Sequence, residues 1–95
     1  MHDTTALDRN IKKAAEDVSA GEVTWECVIP ITETYAGDVL WDGAVTVYNG
    51  PQGQVYAWAY EGDDGPQFIA ILARPPVLTP HDAVRTWMVS TKTRR

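Results

Sequence analysis

The side chains of this chain that could do chemistry are mainly carboxylates, and they stand apart from the cations. Ten of the 13 acidic residues lie between Lys13 and Arg74, a stretch without Lys, Arg or His. A region of one charge sign attracts cations and basic protein surfaces and repels nucleic-acid phosphates. The ten residues are Glu16, Asp17, Glu22, Glu26, Glu33, Asp38, Asp42, Glu61, Asp63 and Asp64.

Two pairs of these carboxylates could serve acid–base catalysis if the fold brought each pair together, namely Glu26 with Asp42 and Glu33 with Asp38. Glycosidase-type catalysis needs two carboxyl groups at a set separation within a cleft. A 95-residue sandwich seldom offers such a cleft. We therefore expect a protein that is not an enzyme, and we keep a small carboxylate-based enzyme as an alternative.

Nucleophilic and metal chemistry have weaker support. Cys27 lies mid-strand among apolar residues, where a thiol behaves as a small buried hydrophobe, and His81 is its one conceivable partner. The turn from Glu61 to Gly65 carries oxygen ligands that suit calcium, but it lacks the alternating ligand pattern of an EF-hand loop. Asp and Gly are also ordinary residues of a tight hairpin turn. We expect no cofactor and no metal, with weak metal binding at this turn as an alternative.

Aromatic residues interleave with the carboxylates along the same strands and turns. Tyr and Trp anchor many protein interfaces, and their rings attract Arg and Lys side chains through cation–π contacts. The plain alternative is an aromatic core with a solvated acidic rim. The predicted partner-binding residues are Glu26, Asp42, Tyr56, Trp58, Tyr60, Glu61, Asp63 and Asp64.

Two amphipathic helices flank the region that holds these residues. Leu7, Ile11, Ala14 and Val18 recur at helical spacing on one face, and Gly21 is the predicted residue at which this helix stops. The second helix begins at the segment Thr79–Asp82, in which Thr is a preferred N-cap, Pro a preferred first residue, and Asp a favourable charge for the helix dipole.

Four strands are predicted between the helices, at Val23–Thr32, Val39–Tyr48, Gln54–Tyr60 and Gln67–Ala73. Pro30 lacks a backbone donor, so the first strand is expected at a sheet edge or bulged. The connection Glu33–Asp38 is predicted to be a loop. Short connections favour an antiparallel meander. The prediction is therefore a single α+β domain over residues 1–95, an α-β-β-β-β-α two-layer sandwich with both helices on the same sheet face.

The third strand leaves the covered face undecided. Val55, Ala57 and Ala59 point one way, whereas Tyr56, Trp58 and Tyr60 point the other way. Small alanines suit the close approach of a helix, which would leave the aromatic row outside. Large exposed aromatic patches are rare in monomers, which favours an aromatic core by a small margin.

Charge and hydropathy argue against nucleic-acid binding and against a membrane-spanning segment. The net charge of −5 disfavours direct binding of nucleic acid, which depends on Lys and Arg. The longest apolar runs have strand length, the N-terminal residues lack the pattern of a secretory signal, and Cys27 is the single cysteine, so we expect no membrane span and a cytoplasmic location.

The predicted function is that of a small acidic protein-interaction module, an inhibitor or immunity/anti-defence type of protein, that blocks a basic surface of a partner protein. Such a surface could be the nucleic-acid-binding groove of the partner. The alternative in a different class is a structural or assembly subunit that forms a homodimer through its sheet.

Overall fold

The computed structural model describes residues 4–75 and 77–92, with side chains described for 7–75 and 77–89. The first helix, α1, spans Thr4–Ser19, and the second, α2, spans Pro80–Lys92. Between them lie β1 (Thr24–Tyr35), β2 (Asp38–Gly50), β3 (Gly53–Gly62) and β4 (Gly65–Leu72). The four strands pair antiparallel in the order β1-β2-β3-β4. The predicted α+β class and α-β-β-β-β-α order are confirmed.

Both helix boundaries follow from local chemistry. The backbone N–H of Asp82 donates to the Thr79 hydroxyl at 3.1 Å, which confirms the predicted N-cap of α2. At the end of α1, Ala20 adopts a left-handed conformation with φ of 59°, and the Gly21 N–H donates to the Glu16 carbonyl at 3.3 Å. This is the Schellman arrangement. The helix therefore stops one residue before the predicted glycine.

The helices cover opposite faces of the sheet, so the expectation that both lie on one face is wrong. Ala83 and Val84 of α2 pack on Tyr56 and Trp58 of β3, whereas α1 packs on Val55 and Ala57 of β3. We call these two clusters the α2-side core and the α1-side core. The helices pack on opposite faces because β3 carries apolar side chains on both faces, and each apolar face is buried by a helix of its own.

The first hairpin is longer than predicted. The segment 33–38 is strand except for a two-residue turn at Ala36 and Gly37, which both have positive φ. Positive φ at both central residues is the geometry of a type I′ hairpin turn. The predicted loop is therefore a tight turn, and Glu33 and Asp38 belong to strands.

Strand β1 is an edge strand, and its ladder with β2 is irregular. The register shifts between Trp25 and Cys27, which leaves Glu26 in a bulge, and shifts again between Glu33 and Thr34. This confirms the expectation from Pro30 of an edge or bulged strand.

Neither helix, within the ranges 4–75 and 77–92, is long and apolar enough to cross a lipid bilayer.

Candidate functional site

A cleft opens where the two hairpins stop pairing. The ladder between β2 and β3 holds five residue pairs, from Thr46–Ala57 to Gly50–Gly53, and it does not continue toward the other end of these strands. A cleft of about 710 Å³ lies there, and both helices contribute to its wall. It is lined by Leu7, Val39, Leu40, Trp41, Asp42, Ala59, Tyr60, Glu61, Pro66 and Trp87. We call it the hairpin cleft.

The hairpin cleft has an aromatic floor formed by Trp41, Tyr60 and Trp87. The ring centroids of Tyr60 and Trp87 are 4.8 Å apart, and those of Trp41 and Trp87 are 5.9 Å apart with an interplanar angle of 80°. The indole of Trp58, which is fully buried, touches both tryptophans from below, at 6.1 Å from Trp41 and 5.6 Å from Trp87. Tilted and edge-to-face contacts of this kind fix ring orientation. The floor is therefore preformed.

The position of the Trp41 indole depends on the absence of a side chain at Gly43. A Cβ atom added to Gly43 would lie 2.6 Å from Cζ2 of Trp41. The indole therefore lies over the backbone of its own strand, two residues on. Glycine is the one residue type that permits so close an approach. The sequence pattern predicts Gly43 as a strand residue and does not indicate this role.

Two exposed carboxylates, Asp42 and Glu61, stand in the wall of the hairpin cleft. The Thr32 hydroxyl donates to Oδ1 of Asp42 at 2.8 Å, which orients that carboxylate on the sheet surface. Glu61 pairs with Pro66 near the end of the second hairpin, and the adjoining turn consists of Asp63 and Asp64. Of the described residues that line the cleft, none carries a positive charge.

More than half of the ten carboxylates share one end of the molecule. In an antiparallel meander the β1–β2 turn and the β3–β4 turn lie at the same end, which we call the tip end. Glu33 is compensated there, because Nε of Arg85 lies 3.1 Å from its Oε1. The tip-end carboxylates without such a partner among the described side chains are Asp38, Asp42, Glu61, Asp63 and Asp64.

The structure divides the predicted partner-binding residues into three groups. Asp42, Tyr60 and Glu61 line the hairpin cleft, and Asp63 and Asp64 form the neighbouring turn. Trp41 and Trp87 also belong to the site. Neither was among the predicted partner-binding residues, because the floor joins residues of β2, β3 and α2 that are distant in sequence.

Tyr56 and Trp58 do not form a surface. Both are buried in the α2-side core, which answers the question of the undecided face in favour of an aromatic core. The Tyr56 hydroxyl donates to the Leu78 carbonyl oxygen at 3.1 Å. Their place in the predicted partner-binding set is corrected for this reason, since a partner cannot reach them.

Glu26 lies at the opposite end of the sheet from the hairpin cleft. Its carboxylate accepts a hydrogen bond from the side-chain amide of Asn49. Since Asp42 pairs with Thr32, six residues along β1, about 20 Å separates the two carboxylates along the strand. The predicted Glu26–Asp42 pair is therefore not formed, because catalytic carboxyl pairs stand within about 5–10 Å of each other.

Within the ranges 4–75 and 77–92, no group of three or more His, Cys, Asp or Glu side chains is placed to hold a metal ion. Cys27 is half-buried and packs against the α2-side core, whereas His81 is exposed in the first turn of α2. The site is thus defined by aromatic rings and carboxylates.

No protein-family model, curated protein or solved structure matches this chain. The function is therefore inferred from the hairpin cleft and from the charges around it.

Proposed function

We propose that this chain is a protein-interaction module, without catalytic activity, that docks its tip end on a basic surface of a partner protein. The observation that carries the proposal is the hairpin cleft, where a floor of three partly exposed aromatic side chains adjoins two carboxylates. A guanidinium or ammonium group is the chemistry that fits both features, because it stacks on rings and pairs with carboxylates.

Docking begins with long-range attraction. Five carboxylates at the tip end have no cation beside them among the described side chains, so their field extends toward an approaching basic surface. Such steering raises the association rate and weakens as salt screens it. The Asp63–Asp64 turn extends beyond the last paired residues of the second hairpin and is placed to meet the partner first.

The second step is the burial of a cationic side chain in the hairpin cleft. Its aliphatic stem would lie against Tyr60 and Trp87, and its charged group would reach Asp42 or Glu61. The floor contributes little ordering cost because Trp58 already holds the rings from below. A basic nucleic-acid-binding groove offers this combination of charge and reach, so a module of this kind would act as an inhibitor, as immunity or anti-defence proteins do.

A charge-reversal experiment tests the proposal with an arginine-rich peptide as the probe. We expect the triple variant E61K/D63K/D64K to bind nona-arginine at least roughly 10-fold more weakly than the native protein, because both the field and one wall of the cleft change sign. Tryptophan fluorescence reports binding directly, since Trp41 and Trp87 line the cleft.

The matched control is E16K/D17K/E22K, which makes the same change in net charge at the far end of α1 and in the connection after it. We expect its affinity for nona-arginine to stay within roughly threefold of the native value. These positions are about a sheet length from the cleft, so salt screens the effect of their charges on binding there. Equal losses in the two triple variants would show that only net charge matters, and unchanged binding in the tip-end variant would refute docking through this end.

A further inference from the structure

The second edge strand of the sheet, β4, lacks the features that interrupt the edge of β1. Its ladder with β3 runs without a register shift, and its one proline, Pro66, lies near its start. The residues from Gln67 to Leu72 carry no charge. A regular and uncharged edge is a template for the addition of a further strand, and natural proteins usually cover or interrupt such an edge.

The register shows which backbone groups of β4 face outward. The N–H of Ala73 donates to the Gln54 carbonyl oxygen at 2.8 Å, so Ala73 directs its backbone groups toward β3. Direction alternates along a strand, so Phe68, Ala70 and Leu72 direct their N–H and C=O groups to the outer side. Among the described residues, no backbone group pairs with them on that side. The row of donors and acceptors is complementary to an extended strand.

A groove lies along the half of this edge that is farther from the tip end. Its volume is about 620 Å³, and Ala70, Ile71 and Leu72 of β4 line it. Val18, which packs on the α1-side core, lines it from one side of the sheet, and Val77 of the α2-side core lines it from the other. Because residues from both sides of the sheet line the groove, it follows the edge itself.

Strand β4 is complementary to itself when two copies meet edge to edge. A two-fold axis normal to the sheet, placed beside Ala70, makes the two β4 strands antiparallel and keeps both α1 helices on one face of a joined sheet. Phe68 of each copy then pairs with Leu72 of the other copy, and the outward groups form about six hydrogen bonds. On the α2 side, Ile69 of each copy lies opposite Ile71 of the other copy. Apolar cross-strand pairs of this kind stabilise antiparallel sheets.

The charges at the two ends of β4 match in the same arrangement. Arg74, which is exposed and has no carboxylate within 4.0 Å among the described residues, follows one end, and the exposed Asp63–Asp64 turn precedes the other. Pairing about Ala70 brings Arg74 of each copy opposite Pro66 of the other copy, and Asp64 lies two residues farther along. Long side chains reach a diagonal neighbour at this spacing. Both ends of the contact therefore join a cation to a carboxylate, which argues for a second copy as the occupant.

The position of helix α1 suits this pairing. The helix packs over both β3 and β4, so its axis lies about half a strand spacing inside the edge. Two β4 strands at about 4.8 Å would then place the two α1 helices about 10 Å apart, which is a spacing of packed helices. The flank of α1 toward the edge includes Val18 and, one turn earlier, the half-buried Ala14. A small residue there permits the two helices to approach.

We propose that β4 pairs with β4 of a second copy of this chain and forms a two-fold symmetric homodimer with one continuous sheet. The contact is about 20 Å long, at the small end of specific interfaces, so we expect a dissociation constant on the order of 100 µM. The floor of the hairpin cleft lies on β2, β3 and α2, so pairing along the outer side of β4 leaves it open. The dimer is therefore independent of the docking proposed above.

Amide hydrogen exchange followed by NMR tests the pairing directly, because it reports each N–H separately. At about 1 mM protein, the amides of Phe68, Ala70 and Leu72 should exchange at least roughly threefold more slowly than at about 20 µM. The amides of Ile69 and Ile71 face β3, so they should be protected equally at both concentrations. Sedimentation equilibrium over the same range should show a monomer–dimer equilibrium.

Charge exchange at the ends of β4 tests the symmetry of the contact. R74E alone and D64R alone should each weaken dimerisation by roughly threefold to 10-fold at low salt, because each places like charges together at both symmetric contacts. An equimolar mixture of the two variants should form heterodimers with about native affinity, since both contacts then join opposite charges.

Matched controls separate this effect from a change in net charge. D38R makes the same change as D64R, but beside the turn of the first hairpin. K12E makes the same change as R74E, but on the flank of α1 that faces Trp25 and Thr46 instead of β4. Both controls should dimerise as the native chain does.

Ala70→Pro removes the central outward N–H and should abolish the dimer. Proline is tolerated in an edge strand where its nitrogen faces solvent, so the ladder with β3 is kept. Native tryptophan emission and a cooperative thermal transition would show that the variant is folded. The charge variants decide the question if the proline variant loses its fold.

Three results would overturn the proposal. The first is a native chain that stays monomeric at about 1 mM, which is also the result expected if the edge takes an extended segment of a different protein. The second is a dimer in which the Phe68, Ala70 and Leu72 amides gain no protection, or one that survives in folded Ala70→Pro. The third is a mixture of R74E and D64R that associates no better than either variant alone.

Discussion

At the residue scale, two alanines hold backbone conformations that L side chains seldom adopt. Ala20 has φ of 59° and Ala36 has φ of 53°. A left-handed conformation costs a residue with a Cβ atom about 1–2 kcal/mol. Both alanines are exposed, so no packing contact offsets the cost. The tight turns after α1 and β1 therefore exist because the rest of the fold requires them.

We expect Ala20→Gly to raise the free energy of unfolding by about 0.5–1 kcal/mol. The glycine removes the steric cost at the end of α1, and part of this gain is offset by the larger entropy of the unfolded chain. For a domain of this size the melting temperature should rise by about 2–8 °C.

Urea unfolding at micromolar protein concentration measures the effect of Ala20→Gly, and Ala44→Gly is the control. Ala44 is also exposed but lies in a strand without positive φ, so the same change there should lower stability. A destabilised Ala20→Gly variant would contradict the strain argument.

At the scale of elements, β3 explains both the correct and the incorrect parts of the sequence prediction. Its alternation of Val55, Ala57 and Ala59 with Tyr56, Trp58 and Tyr60 correctly predicts a strand. Both rows are apolar, which is typical of a strand covered on two faces. The sequence prediction instead assumed that only one of the two faces is covered by helices. The signal for two helical layers was thus present in the composition of both rows.

The tight turn between β1 and β2 was not predicted, for a different reason. Asn-Gly and Asp-Gly pairs mark two-residue hairpins in a sequence, whereas Ala36-Gly37 is a weak signal for the same turn. The register of Tyr35 with Asp38 imposes this turn from outside the segment. Tertiary pairing overrides local preference here, so the extent of the hairpin could not be read from these residues alone.

Gly43 of β2 controls the shape of the hairpin cleft, which gives a prediction at this scale. We expect Gly43→Ala to displace the Trp41 indole from the floor, because the added methyl group would occupy the position of the ring. Overpacking of this kind costs typically about 1–3 kcal/mol of stability. Binding of nona-arginine should weaken at the same time.

Tryptophan emission at neutral pH and peptide titration check the Gly43→Ala prediction together. A red-shifted emission with weaker binding is expected, as Trp41 moves toward water. Ala44→Gly provides the neighbouring control, since it adds no atom to the position over Gly43 that the Trp41 ring occupies. Native emission and native affinity in Gly43→Ala would show that Trp41 does not depend on the glycine.

At the scale of the whole molecule, the charge asymmetry was foreseeable in part. The carboxylates at the tip end lie within a few residues of alternate turns, so a meander brings them to one end. The remaining four, Glu16, Asp17, Glu22 and Glu26, lie toward the other end. The basic residues Arg94 and Arg95 lie outside the described residues.

The hairpin cleft itself could not be predicted from the sequence. It exists because pairing between β2 and β3 ends after five residue pairs, and no residue type in 38–45 or 58–62 marks that end. Where β2 and β3 are no longer paired, the side chains of Trp41, Trp58 and Trp87 pack between the two hairpins. Only packing between distant segments determines where the ladder stops.

Alkaline pH should weaken both helical layers, because each contains a tyrosine with a raised pKa. Burial, and then the charges of Asp8 and Glu16, raise the pKa of Tyr48 in the α1-side core. Burial and then Asp82 raise the pKa of Tyr56 in the α2-side core. The folded state therefore favours the neutral phenol, so this stabilisation is full below about pH 10 and is lost as pH rises through the raised pKa values.

Tyr48→Phe tests this pH dependence, and urea unfolding at pH 7, 9 and 10.5 measures it. The variant should flatten the fall in unfolding free energy above pH 10 and leave the value at pH 7 nearly unchanged, because the described structure shows no hydrogen bond from that hydroxyl. Tyr56→Phe should also flatten the fall but cost about 1 kcal/mol at pH 7, since it loses the bond to Leu78. A slope as steep as native in both variants would exclude these tyrosines as the cause.

The irregular edge of β1 limits how far copies of this chain can assemble. The bulge at Glu26 and the missing N–H of Pro30 interrupt the row of donors and acceptors on which a further strand would have to be added. Growth of ribbons or amyloid-like fibrils from this side is thereby discouraged.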